Sequence, residues 1–239
     1  ATATDPGNDT LTYDWDFGDN SNATGSSVNH TFAQNGVYTV TLTVTDDDGG
    51  ASTRTATVTI GDAPPQIVSL TGDTTGTEGA TVSYAAVAND PGGDELTYSW
   101  DFSDGTPVVE GVDRTNVSHV YADNGVYVVT LTVSDGQAEV TRTIEVTISN
   151  TDPSITSVTA PEQGSEGREV ALSVSATDPG DDTLTYTWDM GDGSNPITGE
   201  SITHTYADDG VFFASVTVSD EDGGITTCPV SMTILKAAP

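Results

Sequence analysis

Apolar and polar residues alternate with a period of two along most of this chain. Leu11, Tyr13, Trp15 and Phe17 fall on one parity, and Thr12, Asp14 and Asp16 on the other. Val40, Leu42 and Val44 alternate in the same way with Thr39, Thr41 and Thr43. No stretch carries a 3.6-residue period. The alternating runs are short and are broken by Asp-Gly, Asn-Gly and Pro-Gly turns, so the pattern predicts half-buried antiparallel strands packed as sandwiches.

The pattern repeats. Trp15, Trp100 and Trp188 lead three copies of one unit, each followed by the same landmarks. These are His30, His119 and His204; then Gly36-Val37-Tyr38, Gly125-Val126-Tyr127 and Gly210-Val211-Phe212; then Asp46, Asp135 and Asp220. The copies close at Ile60, Ile148 and Ile234, with Pro65, Pro153 and Pro239 just beyond. The boundaries read from these marks are unit 1 over 1–60, a linker over 61–65, unit 2 over 66–148, a linker over 149–153, unit 3 over 154–236, and the start of a further linker at 237–239.

The triplet Asp16-Phe17-Gly18 matches the magnesium-holding letters of protein kinases, but it returns as Asp101-Phe102-Ser103 and Asp189-Met190-Gly191. Without a Gly-rich loop, a strand lysine or H-R-D, it reads as a core strand entering a tight turn, with the tryptophan inside and Asp19 closing the hairpin. The run Asp123-Asn124-Gly125-Val126-Tyr127 matches the D-x-G-x-Y of an immunoglobulin tyrosine corner. Phe212 stands at that tyrosine's place in unit 3, which should therefore lack the corner hydrogen bond.

Together, "LTYDWDFGDN…HTF…NGVYTVTLTVTD" and its two echoes resemble the PKD (polycystic kidney disease) domain. The marks are the W-D-F-G-D hairpin, H-x-Y and G-x-Y-x-V-x-L-x-V-x-D. The resemblance implies an all-β chain of three tandem immunoglobulin-like β-sandwiches arranged in line. It also implies a place on extracellular or cell-surface proteins, or beside secreted hydrolases. Trp15, Trp100 and Trp188 are then expected in equivalent buried cores.

Charge narrows the partners. The net charge is −32 with five Lys and Arg, which disfavours nucleic acid and anionic membranes and suits divalent cations. No apolar run approaches the length of a membrane span, so no direct membrane insertion is expected of this segment. One cysteine, Cys228, rules out an intrachain disulfide framework. The three histidines hold equivalent repeat positions and read as structural, because zinc needs its ligands in one place.

A second acidic motif precedes each tryptophan strand: Asp5-Pro6-Gly7-Asn8-Asp9, Asp90-Pro91-Gly92-Gly93-Asp94 and Asp178-Pro179-Gly180-Asp181-Asp182. In a sandwich of this topology it forms the B–C loop, at the same pole as the F–G loop that starts at Asp46, Asp135 or Asp220. The incoming linker adds Asp62 before unit 2 and Asn150 before unit 3. Two readings stand. In one, these residues hold calcium, because clustered carboxylates without basic partners repel and a hard cation with six to eight oxygen ligands relieves them. In the other, Asp-Pro-Gly-x-Asp is only a turn with Asx capping. The resemblance supports calcium, since PKD-like domains of secreted proteases hold it at the corresponding linker. Glu78 and Glu166 precede a glycine in the presumed A–B loop at the opposite pole. A plain turn is the expected role there, with reach to a neighbour's calcium as the alternative. Lys236 stands where Asp62 and Asn150 stood, so the next junction should differ.

These features point to a non-catalytic structural or adhesion segment: a calcium-rigidified spacer in a larger extracellular surface, adhesin or filament protein. Its partners would be neighbouring repeats of the same chain, other copies of the protein, or surface glycans and proteins. The alternative is a carbohydrate- or protein-binding accessory module of a secreted hydrolase. That role needs exposed aromatic rings, whereas most rings here fall on core parity, Phe213 excepted. Unit 1 has only Ala1 to Thr4 ahead of Asp5, so strand A and most of B are expected to be missing from it.

Overall fold

The computed structural model describes residues 1–180 and 182–237. Pro239 and Ala238 of the expected last linker lie outside them. The described residues form strands, turns and loops, and no helix among them is long and apolar enough to cross a membrane.

Unit 2 has eight strands: β5 (Gln66–Gly72), β6 (Thr75–Thr77), β7 (Thr81–Asn89), β8 (Thr97–Asp101), β9 (Val109–Gly111), β10 (Asn116–Val120), β11 (Gly125–Ser134) and β12 (Glu139–Ser149). One sheet runs β10-β7-β5 and the other β6-β12-β11-β8-β9, with β6 parallel to β12. Unit 3 repeats this with β13 (Ser154–Thr159), β14 (Gln163–Ser165), β15 (Glu169–Thr177), β16 (Thr185–Asp189), β17 (Ile197–Thr198), β18 (Ser201–Thr205), β19 (Gly210–Ser219) and β20 (Ile225–Leu235). Its sheets run β13-β15-β18 and β14-β20-β19-β16-β17. The period-two residues meet between the sheets. Trp100 and Trp188 are fully buried, and their indole N–H groups donate to Arg114 O at 2.8 Å and Gly199 O at 3.0 Å.

Unit 1 forms one sheet, β2-β1-β3-β4, from β1 (Thr12–Asp16), β2 (Asn22–Thr24), β3 (Gly36–Thr45) and β4 (Ala51–Ile60). Its tryptophan keeps the register, with Trp15 opposite Leu42 as Trp100 is opposite Leu131. Yet the ring is only partly buried, as are Leu42 and Val44. The expected equivalence of the three tryptophans therefore fails at Trp15. Among the described residues no second sheet lies over the apolar face that β1 and β3 present.

The D-F-G turn is a scaffold. The residue at its third position takes a left-handed backbone in every unit, at Gly18 (φ 77°), Ser103 (φ 61°) and Gly191 (φ 71°). A Cβ at Gly18 would lie 2.8 Å from Thr39 O, so glycine suits the site. Ser103 tolerates it while its hydroxyl donates to Val128 O at 2.7 Å. The aspartate after the turn accepts from the histidine: Asp19 from His30 at 2.6 Å, Asp104 from His119 at 2.6 Å and Asp192 from His204 at 2.8 Å. The His30 and His119 rings also stack on Phe17 and Phe102 at 4.0 Å. The tyrosine corner is present where expected: Tyr38 donates to Gln34 O at 2.9 Å and Tyr127 to Asp123 O at 3.0 Å.

Candidate metal centre

The Asp-Pro-Gly loops are built by their own first aspartates. Asp5 Oδ1 accepts the Gly7 N–H at 2.6 Å, Asp90 Oδ1 that of Gly92 at 2.7 Å, and Asp178 Oδ1 that of Gly180 at 2.8 Å. The F–G aspartates do the same. Asp46 Oδ1 accepts from Gly50 at 2.7 Å, Asp135 Oδ1 from Ala138 at 2.6 Å and Asp220 Oδ1 from Gly224 at 2.7 Å. One oxygen of each carboxylate thus caps a turn and aims the other. For Asp90, Asp135 and Asp178 that other oxygen, Oδ2, is buried without a partner, and so are Asp182 Oδ2 and Asn150 Oδ1. The Asx-turn and cation readings are therefore compatible, because they use different oxygens of the same side chain.

Among the described residues, three groups of carboxylates offer ligand oxygens within 4.8 Å of one another: Asp5, Asp9 and Asp46; Glu78, Asp178 and Asp182; and Asp123, Asp182 and Asp222. Oxygens on opposite sides of one calcium stand about 4.6–5.2 Å apart, so each group fits around a single ion. At the junction of units 1 and 2, Asp62, Asp90 and Asp135 all act on Asp94. Burial first, and then those three charges, raise its pKa. Asp62 Oδ1 also accepts from the Asn35 side chain at 3.0 Å.

The junction of units 2 and 3 is more acidic than the sequence suggested. Asp182 is pushed up to about 6, by burial first and then by Glu78, Asp178, Asp222 and Asp123. Asp220 has both oxygens engaged, Oδ2 accepting from Asn150 Nδ2 at 3.1 Å. Burial acts against its charge, but the bonds from Asn150, Gly224 and Asp222 hold its pKa below the ordinary range. Asp220 is thus satisfied by its own bonds, while Asn150 Oδ1 is buried without a partner. Sequence reasoning missed Asp123 and Asp222 and favoured a plain turn at Glu78. Glu78 does lie in a turn, and it is also buried there, with a carboxylate oxygen within 4.8 Å of ligand atoms of Asp178 and Asp182. No basic residue relieves this cluster, for the ion pairs among the described residues are the three His–Asp contacts.

Residues 1–60, 62–149 and 150–234 each match the PKD domain. The chain belongs to the PKD domain family. One stretch of the chain is 41% identical over 58 residues to "Microbial collagenase" from Vibrio alginolyticus, an alignment covering 24% of this chain and 7% of that protein. "Polycystin-1" from Homo sapiens is 27% identical over 243 aligned positions, covering 91% of this chain and 5% of that protein. "Chitinase A" from Pseudoalteromonas piscicida is 32% identical over 160 residues, 62% of this chain and 19% of that protein. The PKD units thus span a small part of each relative's length. In this setting the Asp-Pro-Gly and F–G loops are repeat features: the Asp5, Asp9 and Asp46 cluster lies within unit 1, while the clusters around Asp182 join residues of units 2 and 3.

Proposed function

We propose that this chain is a non-catalytic, calcium-rigidified spacer within a larger extracellular protein of the surface, adhesin or filament type. The observation that carries the reading is the set of buried, unpartnered carboxylate oxygens on Asp90, Asp135, Asp178 and Asp182 at the two junctions. A buried carboxylate oxygen without a donor costs stability, and a divalent cation supplies the missing partner. Linkers as short as Gly61–Pro65 leave little slack, so filling the site fixes one unit against the next. The likeness to "Microbial collagenase" and "Chitinase A" favours a second reading, an accessory module beside a secreted hydrolase.

Calorimetry and small-angle scattering with chelator and with added calcium test the first reading. Free calcium at 100 times its dissociation constant adds about 2.7 kcal/mol. For units of this size that raises the melting temperature by roughly 10–20 °C. Melting and scattering profiles indifferent to both treatments would exclude it. Retention on collagen, chitin or cellulose would favour the second.

A further inference from the structure

Glu78 sits in unit 2, in the turn between β6 and β7, at the pole facing unit 3. It is 1% exposed, the least accessible charged side chain described. Its Oε1 accepts the Thr151 N–H of the linker at 2.6 Å, while Oε2 is buried without a partner. That free oxygen faces unit 3's Asp-Pro-Gly loop, with ligand atoms of Asp178 and Asp182 within 4.8 Å of the Glu78 carboxylate.

Two glycines make the approach feasible. A Cβ at Gly180 would stand 2.5 Å from Glu78 Cδ and 2.9 Å from Oε2. At Gly79, with φ 69°, a Cβ would stand 2.5 Å from Pro179 O. Backbone therefore meets backbone at this contact, and the glutamate enters the gap. A buried anion pressed against two other anions is unfavourable unless a cation joins them.

We propose that Glu78 is a ligand donated across the junction, so that one hard divalent cation is held jointly by Glu78 of unit 2 and by Asp178 and Asp182 of unit 3. The site is then a clamp between units rather than a site within one. This rests on the cation reading above and adds which unit supplies the closing ligand. The first junction differs at the neighbouring position. Gln34 stands at the repeat position of Asp123, and its amide donates to Gly92 O instead of offering an anion. At the far end of unit 3, Glu166 Oε1 accepts the Ala237 N–H at 3.1 Å, so the linker-capping half of the device recurs.

Calcium titration calorimetry on the full chain, with scattering on the same samples, tests the clamp. Glu78→Gln keeps the acceptor for Thr151 and removes the charge. It should weaken calcium at this junction on the order of tenfold or more, by comparison with the loss on disturbing even indirect metal contacts. It should also abolish the calcium-dependent narrowing of interunit distances, while leaving the chelated protein folded. Gly180→Ala should weaken binding in the same direction, and Glu166→Gln should leave this site unchanged. Wild-type affinity and wild-type scattering in Glu78→Gln, with Asp178→Asn still impaired, would overturn the clamp and leave the cation reading intact. Absence of calcium binding to the wild-type chain would overturn both.

Discussion

Replacing Phe212 by tyrosine should give unit 3 a hydrogen bond that the other two units already have. The ring is in place: Phe212 packs on Tyr206 at 4.2 Å, as Tyr127 does on Tyr121 at 4.1 Å and Tyr38 on Phe32 at 4.3 Å. Asp208 occupies the repeat position of Gln34 and Asp123, whose carbonyls accept at 2.9 and 3.0 Å. There is room too. A Cβ at Gly210 would lie 3.8 Å from the ring Cζ, against 3.4 Å at Gly125 beside Tyr127. The new hydroxyl thus meets an acceptor rather than a wall, for a net gain of about 1 kcal/mol. That is roughly a fivefold shift in the opening equilibrium. Hydrogen exchange read by peptide resolves it unit by unit. Amides of β19 and β20 that exchange through opening of the whole unit should slow roughly fivefold, while those of β11 and β12 stay unchanged. Tyr127→Phe should do the reverse, speeding β11 and leaving β19 alone. If both variants leave exchange unaltered, water satisfies these carbonyls as well as the phenol does, and the argument fails.

Trp100→Ala should cost about 3–5 kcal/mol in unit 2, as for other large core rings. In this 239-residue chain Trp15→Ala should cost clearly less, because its ring is only partly covered. Iodide should quench Trp15 selectively, and a quenchable fraction that survives Trp15→Phe would refute the difference. Two pH windows of opposite sign should appear in the chelated protein. Asp182, raised from 3.8 to about 6, contributes stability that is present below its unfolded pKa and lost as pH rises through about 6. Acidifying from pH 7 towards 5 should therefore stabilise unit 3. Burial opposes the Asp192 charge, but bonds from Ser194 and His204 outweigh it and lower this group to about 2. Its stabilising share is present above the unfolded pKa and fades as pH falls from about 4 towards 2. His204→Gln should flatten that acid limb of the melting profile, and an unchanged limb would exclude the pair as its cause.

Strand positions, the three-unit repeat and the turn chemistry were legible because each is a local property. Alternation at Leu11 to Phe17 declares a half-buried strand whatever lies over it. The first aspartate of each Asp-Pro-Gly loop caps amides two to four residues away, so its placement follows from the loop itself. The repeat likewise brought Asp90, Asp94 and Asp135, or Asp178 and Asp182, to one pole. Sequence could not say how well a face is covered. Trp15 carries the same local signal as Trp100, yet its burial depends on a second sheet that only long-range pairing supplies. Nor could it say what the neighbouring unit contributes. Glu78 before Gly79 looks like any turn glutamate, and its sequence neighbours left a plain turn and reach to the next unit both open. Its burial and its approach to Asp178 and Asp182 were decided by the packing of one unit's turn against the next unit's loop, where glycine on both sides lets a buried carboxylate reach anions far along the chain.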